Sequence, residues 1–158
     1  MKRVFLLGGL FLIFLAACSK KDSAPAFDEY AQFLLDSAKI STYLTANNIT
    51  ATHEANSIFY RIIDSGDVNL KPTRTSNITI AYLGTRLDGS GFDSSKSANF
   101  DLNRLVTGWQ IGIPLIGKGG HIQLYLPSYF AYQQYGQGAI APNTPLVFDI
   151  KLIDFINK

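Results

Sequence analysis

The sequence contains a single cysteine, Cys18, among 158 residues. An intramolecular disulfide is therefore excluded, and so is a zinc site built from several thiolates. Histidine is almost as rare, because only His53 and His121 occur and neither has a partner at metal-ligand spacing. The Gly-x-Ser-x-Gly motif of serine hydrolases is also missing. These absences leave little support for hydrolytic or metal-dependent chemistry, and the sequence predicts neither a metal nor a cofactor.

One glycine-containing stretch imitates a phosphate-binding loop. Gly112 and Gly117-Lys118 have the spacing of the Gly-x4-Gly-Lys motif, but Gly119 stands where the magnesium-binding hydroxyl belongs. The stretch also follows a predicted helix, whereas the motif links a strand to a helix. We interpret it as a turn before the next strand, and nucleotide chemistry is not expected.

The N-terminal residues have the pattern of an export signal. Two basic residues precede an apolar run from Val4 to Ala17, which is shorter than the roughly 20 residues of a membrane-spanning helix. The run ends in Leu-Ala-Ala-Cys, which resembles a bacterial lipobox and predicts lipidation of Cys18. The sequence thus predicts a lipoprotein signal peptide over residues 1–17 and a lipidated tether over residues 18–26. The alternative is an ordinary signal or anchor with a chance cysteine.

Charge gives no indication of a nucleic-acid ligand. The full chain has 14 lysines and arginines against 12 acidic residues, and removal of Lys2 and Arg3 with the signal leaves 12 of each. The mature protein therefore has no net cationic field. We expect it to bind no nucleic acid and to reach the membrane through the lipid on Cys18. The expected location is the bacterial cell envelope, and Ser19 favours the periplasmic side of the outer membrane.

The mature chain begins with a predicted helical segment over residues 27–48. Asp28 suits its start and Asn47-Asn48 its end. The predicted apolar face consists of Tyr30, Phe33, Leu34, Ile40, Tyr43 and Leu44. Such a helix packs on the following domain, extends it as a spacer, or pairs with another copy or an envelope-complex partner.

Residues 49–158 have the pattern of strands and turns that is typical of one strand-rich domain. Predicted strands separated by turn residues are Ile58–Ile63, Asn77–Tyr82, His121–Leu126 and Leu146–Ile153. A single short helix is expected within Leu105–Ile116, where Pro114 is tolerated only near the end. Several strands and one embedded helix indicate an α+β domain with an antiparallel sheet.

Aromatic and glycine residues recur through this domain in a particular order. Aromatic residues alone are typical of a packed core. The ordered pieces are Tyr82-x-Gly84, Leu87-Asp88-Gly89, Gly91-Phe92-Asp93-Ser94-Ser95, Phe100-x-Leu102, Leu105-Val106-x-Gly108-Trp109-x-x-Gly112, Leu124-Tyr125-Leu126-Pro127-Ser128, Ala131-Tyr132, Gly138-Ala139-Ile140-Ala141-Pro142-Asn143 and Leu146-Val147-Phe148-Asp149. From Asn77 to Leu152 this set resembles the FK506-binding-protein (FKBP) family of peptidyl-prolyl cis-trans isomerases.

The resemblance implies a half-wrapped antiparallel sheet around one short helix that begins near Val106, with a proline-binding pocket between them. It implies catalytic roles for Tyr82, Phe92, Asp93, Trp109, Tyr132 and Phe148, and substrate-binding roles for Phe100, Leu105, Val106 and Ile140. Trp109 is expected as the pocket floor and Asp93 as a polar group at the rim. The Tyr132 hydroxyl and the Val106 N–H are expected to donate to carbonyls of the substrate.

The function that the resemblance implies is isomerisation of proline-containing polypeptides, without a cofactor, to assist the folding of exported proteins. The alternative is a weakly active or inactive FKBP-like chaperone or accessory subunit of an envelope complex, with residues 27–48 supplying the contact. The family's pattern is altered in the 133–141 loop. Gln133 stands there in place of the glycine that commonly follows the Ala-Tyr pair.

Overall fold

A computed structural model of the protein describes residues 27–53 and 57–158. Its helices and strands are α1 (Glu29–Ala46), β1 (Thr52–His53), β2 (Phe59–Asp64), β3 (Asn77–Arg86), β4 (Gly91–Asp101), α2 (Thr107–Gly112), β5 (His121–Leu126) and β6 (Leu146–Ile156). Short 3₁₀ turns occupy Leu102–Arg104, Ile113–Leu115 and Ser128–Phe130. The predicted signal peptide, the tether and Cys18 lie outside the described residues, so those assignments stay predictions.

The strands form one antiparallel sheet in the order β1-β2-β5-β6-β3-β4, which confirms the predicted α+β class. Strands β3 and β6 are longer than predicted, because β3 continues to Arg86 and β6 to Ile156. They pair with each other over their whole length, from Asn77 opposite Ile156 to Arg86 opposite Leu146. The hydrogen-bonded pairing between β3 and β6 thus extends both strands beyond the bounds that the sequence predicts, Tyr82 and Ile153.

Helix α2 lies closely against one face of the sheet because two glycines line its inner side. A Cβ atom placed on Gly108 would lie 2.5 Å from Leu126 Cδ1, and one on Gly112 would lie 2.4 Å from Leu124 Cδ2. The two glycines are four residues apart and therefore on the same side of the helix. This spacing brings the helix backbone close enough to the sheet to form the floor of a cavity.

The helix is shorter than the predicted interval Leu105–Ile116. Val106 is its N-cap, as the resemblance predicts, but the α-helix ends at Gly112 and continues as the 3₁₀ turn that contains Pro114. Proline cannot donate a helical hydrogen bond and clashes with the preceding turn, which explains the early end. The segment from Gly117 to Gly120 then forms the predicted turn before β5, with Lys118 paired to Asp154 at 2.8 Å.

Helix α1 packs on the sheet domain, the first of the three arrangements that its sequence allows. Asp28 caps its start by accepting hydrogen bonds from the backbone N–H groups of Tyr30 and Ala31, each at 3.0 Å. Ile40 and Leu44 pack against Tyr125 on the sheet face opposite α2. The predicted apolar face is wrong at Tyr30 and Leu34, which are 60% and 49% exposed.

The discrepancy arises because the buried stripe of α1 follows Phe33, Asp36, Ile40 and Leu44 and includes a carboxylate. Asp36 occupies a buried position where an amphipathic helix normally has a hydrophobic residue. A prediction based on apolar residues alone therefore omits Asp36 from the buried face and includes the exposed Tyr30 and Leu34. No helix within residues 27–53 and 57–158 has the length and apolar character needed to cross a membrane.

Candidate active site

An aromatic cavity of about 160 Å³ opens between α2 and strands β3, β4 and β6. Its lining residues are Tyr82, Asp93, Phe100, Leu105, Val106, Trp109, Tyr132 and Phe148, all of which belong to the predicted site. The two remaining predicted residues, Phe92 and Ile140, line a second cavity of about 250 Å³. The cavities adjoin, because Asp93 and Tyr132 line both. The structure therefore brings the predicted residues together, but over two connected depressions.

Trp109 forms the floor of the aromatic cavity and is 5% exposed. Its ring meets those of Tyr82 and Phe148 edge to face, with centroid distances of 5.2 and 5.0 Å. Phe100 contacts it in the same manner at 6.3 Å. Edge-to-face packing is the arrangement that aromatic quadrupoles favour, so each ring restrains its neighbours. The result is a rigid, apolar concavity of the kind that binds small ligands.

Gly84 allows Phe92 to complete the aromatic wall. A Cβ atom at Gly84 would lie 2.6 Å from Phe92 Cζ and 3.1 Å from Phe148 Cε1. Only a residue without a side chain leaves room for the two rings, which meet edge to face at 5.6 Å. The sequence pattern includes this glycine, but its role becomes visible only in the packing.

The polar rim is centred on Asp93. The Tyr82 hydroxyl donates a hydrogen bond of 2.7 Å to Asp93 Oδ2. Burial, together with this hydrogen bond and the carboxylate charge, raises the pKa of Tyr82 to about 12. Burial and the Asp93 charge also raise the pKa of Tyr132. Both phenols are therefore neutral donors near neutral pH, and the Tyr82 hydroxyl is already engaged.

Two donors at the rim have no acceptor within the described part of the chain. One is the Tyr132 hydroxyl, and the other is the N–H of Val106, whose carbonyl accepts a hydrogen bond from Trp109 N at 2.9 Å. As the N-cap of α2, Val106 has an extended backbone, so its N–H lies outside the helical hydrogen-bond ladder. Both groups border the aromatic cavity. They can therefore donate to carbonyl oxygens of a bound peptide.

The altered loop keeps its place beside the cavity despite the loss of a glycine. Gln133 adopts φ 52°, a left-handed conformation that glycine reaches at lower cost. Its backbone N–H donates to Ser128 O at 2.8 Å, and its carbonyl accepts from Asn143 N at 2.8 Å. These bonds close the loop at its base. Gln133 thus adopts a left-handed backbone at the position where the resemblance to the family predicts glycine.

Neither histidine belongs to the cavity. His121 Nε2 lies 2.7 Å from Asp149 Oδ1, across the paired strands β5 and β6. His53 stacks on Phe59 with a centroid distance of 3.7 Å. In residues 27–53 and 57–158, no group of three or more His, Cys, Asp or Glu side chains has the arrangement of a metal site.

The family of the protein follows from comparison with known sequences. The model of the family described as FKBP-type peptidyl-prolyl cis-trans isomerase matches residues 69–153, more than half of the chain. The chain belongs to this family. The matched FKBP segment contains every predicted site residue apart from the lipidation site Cys18.

Several curated relatives share the FKBP segment. The chain is 38% identical over 104 residues to the probable FKBP-type peptidyl-prolyl cis-trans isomerase FkpA of Neisseria meningitidis serogroup B, covering 63% of this chain and 38% of the relative. It is 35% identical over 99 residues to the outer membrane protein MIP of Legionella longbeachae, covering 60% and 42%. It is 32% identical over 127 residues to Mip of Coxiella burnetii, covering 76% and 55%. The chain thus spans only about two-fifths to just over half of the length of these relatives.

Solved structures agree with the FKBP fold. FkpA from Escherichia coli superposes with a TM-score of 0.69 at 28% identity, covering 80% of this chain and 62% of that one. A peptidyl-prolyl cis-trans isomerase from Pseudomonas syringae superposes with a TM-score of 0.66 at 26% identity, covering 84% and 98%. The superposition includes 98% of the Pseudomonas syringae chain, so the fold similarity is not confined to a fragment of it.

Proposed function

We propose that the protein is a peptidyl-prolyl cis-trans isomerase that acts on proline-containing polypeptides and assists the folding of exported proteins. The observation that carries this proposal is the aromatic cavity floored by Trp109, with donors on Tyr132 and Val106 at its rim that have no acceptor among residues 27–53 and 57–158. Such a site combines apolar walls with a few placed polar groups. It contains the groups that proline isomerisation requires, and the proposed reaction uses no nucleophile, metal or cofactor.

The chemistry follows from the electronic structure of the amide. Rotation about an X–Pro bond crosses a barrier of about 18–20 kcal/mol, because the planar amide is stabilised by resonance. In the twisted transition state that resonance is lost, and the charge separation falls. An apolar aromatic cavity therefore binds the twisted form better than the planar one, which is the condition for catalysis. The Tyr132 hydroxyl and Val106 N–H would hold the flanking carbonyls so that only the proline bond rotates.

An isomerisation assay on the protein without residues 1–18 tests the proposal directly. Peptides with different residues before proline should isomerise faster with the wild-type protein than without it. Phe92→Ala, which removes one wall, should lower kcat/KM by about ten- to hundredfold, because small misplacements of a reacting group have effects of that size.

Tyr135→Ala is a matched control on the same side of the domain, since Tyr135 is 76% exposed and lies outside both cavities. It should retain wild-type activity. A folded wild-type protein that leaves the uncatalysed rate unchanged would refute the enzymatic proposal.

The exposed side of α1 favours a second candidate function, binding of apolar segments of unfolded polypeptides. Tyr30 and Leu34 are exposed, and a groove of about 380 Å³ lies between α1 and the turn that carries Tyr129 and Phe130. Leu34→Glu should weaken suppression of aggregation of a denatured client and leave isomerase activity intact. Equal suppression by the variant would argue against client binding on this side of α1.

Membrane attachment through Cys18 is the third part of the proposal. Its support is the lipobox-like Leu-Ala-Ala-Cys sequence and the name of the Legionella longbeachae relative, an outer membrane protein. Cells expressing the wild-type chain should incorporate a labelled fatty acid into it, and Cys18→Ser should abolish that labelling. Fractionation should then locate the wild-type protein in the outer membrane, where we expect it to face the periplasm. Labelling that persists in Cys18→Ser would contradict the assigned lipidation site.

A further inference from the structure

Arg86, at the end of β3, joins parts of the site that are distant in sequence. Its backbone is fixed on both sides, because it pairs with Leu146 of β6 and its N–H donates to Ser90 O at 2.9 Å. From this fixed position the half-buried side chain points along the edge of the second cavity. The Nη1 atom donates to Ser90 Oγ at 3.0 Å, and Nη2 donates to the carbonyl of Ala139.

The guanidinium also lies over an aromatic wall of the site. Its Cζ atom is 5.9 Å from the centroid of the Phe92 ring, within the range of a cation–π contact. Arg86 therefore contacts Phe92 and, through Ala139, the turn of residues 137–140. Both the Phe92 ring and this turn line the second cavity. A planar guanidinium suits this task because it donates in several directions and stacks on a ring at the same time.

The 137–140 turn is anchored at one end by Ile140, which is 6% exposed and packs in the core cluster that contains Trp109. Its own backbone hydrogen bonds run between Gln137 and Ile140, at 2.9 and 2.8 Å. Gly138 at its tip has φ 53° and no heavy atom within 4 Å of its Cβ position. The Ala139 carbonyl follows directly, and Arg86 fixes it to β3. Ile140, which forms part of the cavity wall, is positioned by the same turn.

We infer that Arg86 is a positioning residue that holds the 137–140 turn against Phe92 and thereby shapes the second cavity for the residues flanking the substrate proline. This inference rests on the proposed isomerase function. The two cavities share Asp93 and Tyr132, so a peptide whose proline occupies the aromatic cavity continues past that shared rim into the second one. Arg86 lines neither cavity and acts on the substrate through the turn and the ring that it holds.

Hydrogen–deuterium exchange of the full-length protein in detergent tests the attachment without reference to activity. Arg86→Leu keeps the apolar stem and removes the donors, so the segment that contains Gln137 and Ile140 should exchange several-fold faster. Arg86→Lys should show an intermediate increase in exchange, because one ammonium group cannot replace the two guanidinium nitrogens that donate to Ser90 and Ala139. Arg74→Leu is the matched control, since Arg74 is exposed and lies outside both cavities.

Kinetics with peptides that extend on both sides of proline test the consequence. Arg86→Leu should raise KM by about three- to tenfold, the equivalent of one charge-assisted hydrogen bond in a half-exposed setting, with kcat near the wild-type value. A variant damaged in its fold would instead lose kcat and show faster exchange throughout the sheet, including at Leu152, whose N–H donates to Gly120 O.

The possible results are distinct. Unchanged exchange at the 137–140 turn in Arg86→Leu would overturn the attachment, whether or not the protein is an isomerase. Faster exchange with an unchanged KM would overturn the effect on substrate binding. A wild-type protein without isomerase activity would refute the proposed function and the substrate role together, and the exchange measurement would still decide the attachment.

Discussion

A single methyl group added at Gly84 would collide with a wall of the proposed proline site. The ring of Phe92 passes so close to its backbone that a Cβ atom would lie 2.6 Å from Phe92 Cζ. Gly84→Ala should therefore push the ring out of the wall while β3 keeps its pairing. We expect kcat/KM to fall by about ten- to hundredfold, with a stability loss of about 1–3 kcal/mol from overpacking.

Gly91→Ala supplies the matched comparison for Gly84. It lies on the neighbouring strand, and the nearest atom to its Cβ position is Gly84 O at 4.0 Å. Both variants are to be compared by isomerase assay and by urea denaturation. Equal activity of the two variants would show that the contact between Gly84 and Phe92 does not determine the shape of the site.

The two tyrosines of the rim differ in what their hydroxyls do. Tyr82 donates to Asp93 at 2.7 Å, whereas the Tyr132 hydroxyl has no acceptor in the described part of the chain. Tyr132→Phe should therefore lower kcat/KM by about three- to tenfold, the value of one hydrogen bond to substrate. Tyr82→Phe should have a smaller effect, because it removes a bond within the protein. The reverse order in an isomerase assay would assign the substrate donor to Tyr82.

At the scale of the secondary-structure elements, Asp36 connects α1 to the chain that leads into the site. It is completely buried, and its carboxylate accepts hydrogen bonds from Gln32 Nε2 at 2.8 Å and from the backbone N–H of Ser128 at 2.9 Å. Ser128 begins a 3₁₀ turn, and its carbonyl accepts a hydrogen bond from the backbone N–H of Gln133. Gln133 directly follows Tyr132 of the site. Helix α1 thus supports the pocket loop from outside the segment matched by the family model.

Asp36→Ala should destabilise the protein by about 1–3 kcal/mol, because it leaves the buried Ser128 N–H without an acceptor. Lys39→Ala is the control from the same network. Its ammonium is 3.4 Å from Asp36 and its side chain is 54% exposed, so its loss should change the free energy of unfolding by less than about 1 kcal/mol. Chemical denaturation measures both values. Equal stability of Asp36→Ala and wild type would show that the helix is held by its apolar contacts alone.

The elements differ in how far the sequence predicts them. Strand β5 has its predicted bounds, His121–Leu126. Its apolar residues are buried, and turn residues flank it in the sequence, with Gly120 before it and Pro127 after it. The ends of β3 and β6 depend on each other, and pairing is a tertiary property that composition does not encode. Pro114 explains why α2 ends at Gly112, whereas the close contact of Gly112 with Leu124 becomes visible only in the packing. The apolar pattern predicts the face of α1 incorrectly because a carboxylate, Asp36, occupies the buried stripe.

On the scale of the whole molecule, the sheet separates two buried clusters, one on each of its faces. One contains Trp109 and Phe148 on the α2 side and forms the site, and the other contains Ile40, Leu44 and Tyr125 beneath α1. The resemblance predicts the aromatic residues of the first cluster that line the cavity, including Trp109 and Phe148, whereas Phe33 of α1 joins the same cluster from outside the family's motif. Arg86 carries no such signal, since its importance arises from a contact with Ala139, 53 residues later in the chain.

The two clusters also contain tyrosines that couple stability to alkaline pH. The pKa of Tyr82 is raised to about 12, mainly by burial and then by Asp93, and burial raises the pKa of Tyr125 to about 12. In the unfolded chain both phenols titrate near the ordinary value of about 10. Above that pH the unfolded state binds fewer protons than the folded state, so the free energy of unfolding decreases as pH rises. The contribution is fully present below pH about 10 and is lost as pH rises through about 12.

Urea denaturation across this interval should show a falling free energy of unfolding for the wild-type protein. Tyr82→Phe and Tyr125→Phe should each reduce the slope, and the double variant should reduce it further, since the residues lie in separate clusters on opposite faces of the sheet. Comparing slopes between variants cancels the titration of lysines, which ionise in the same range. If the double variant retained the wild-type slope, burial of these two phenols would not be the source of the pH dependence.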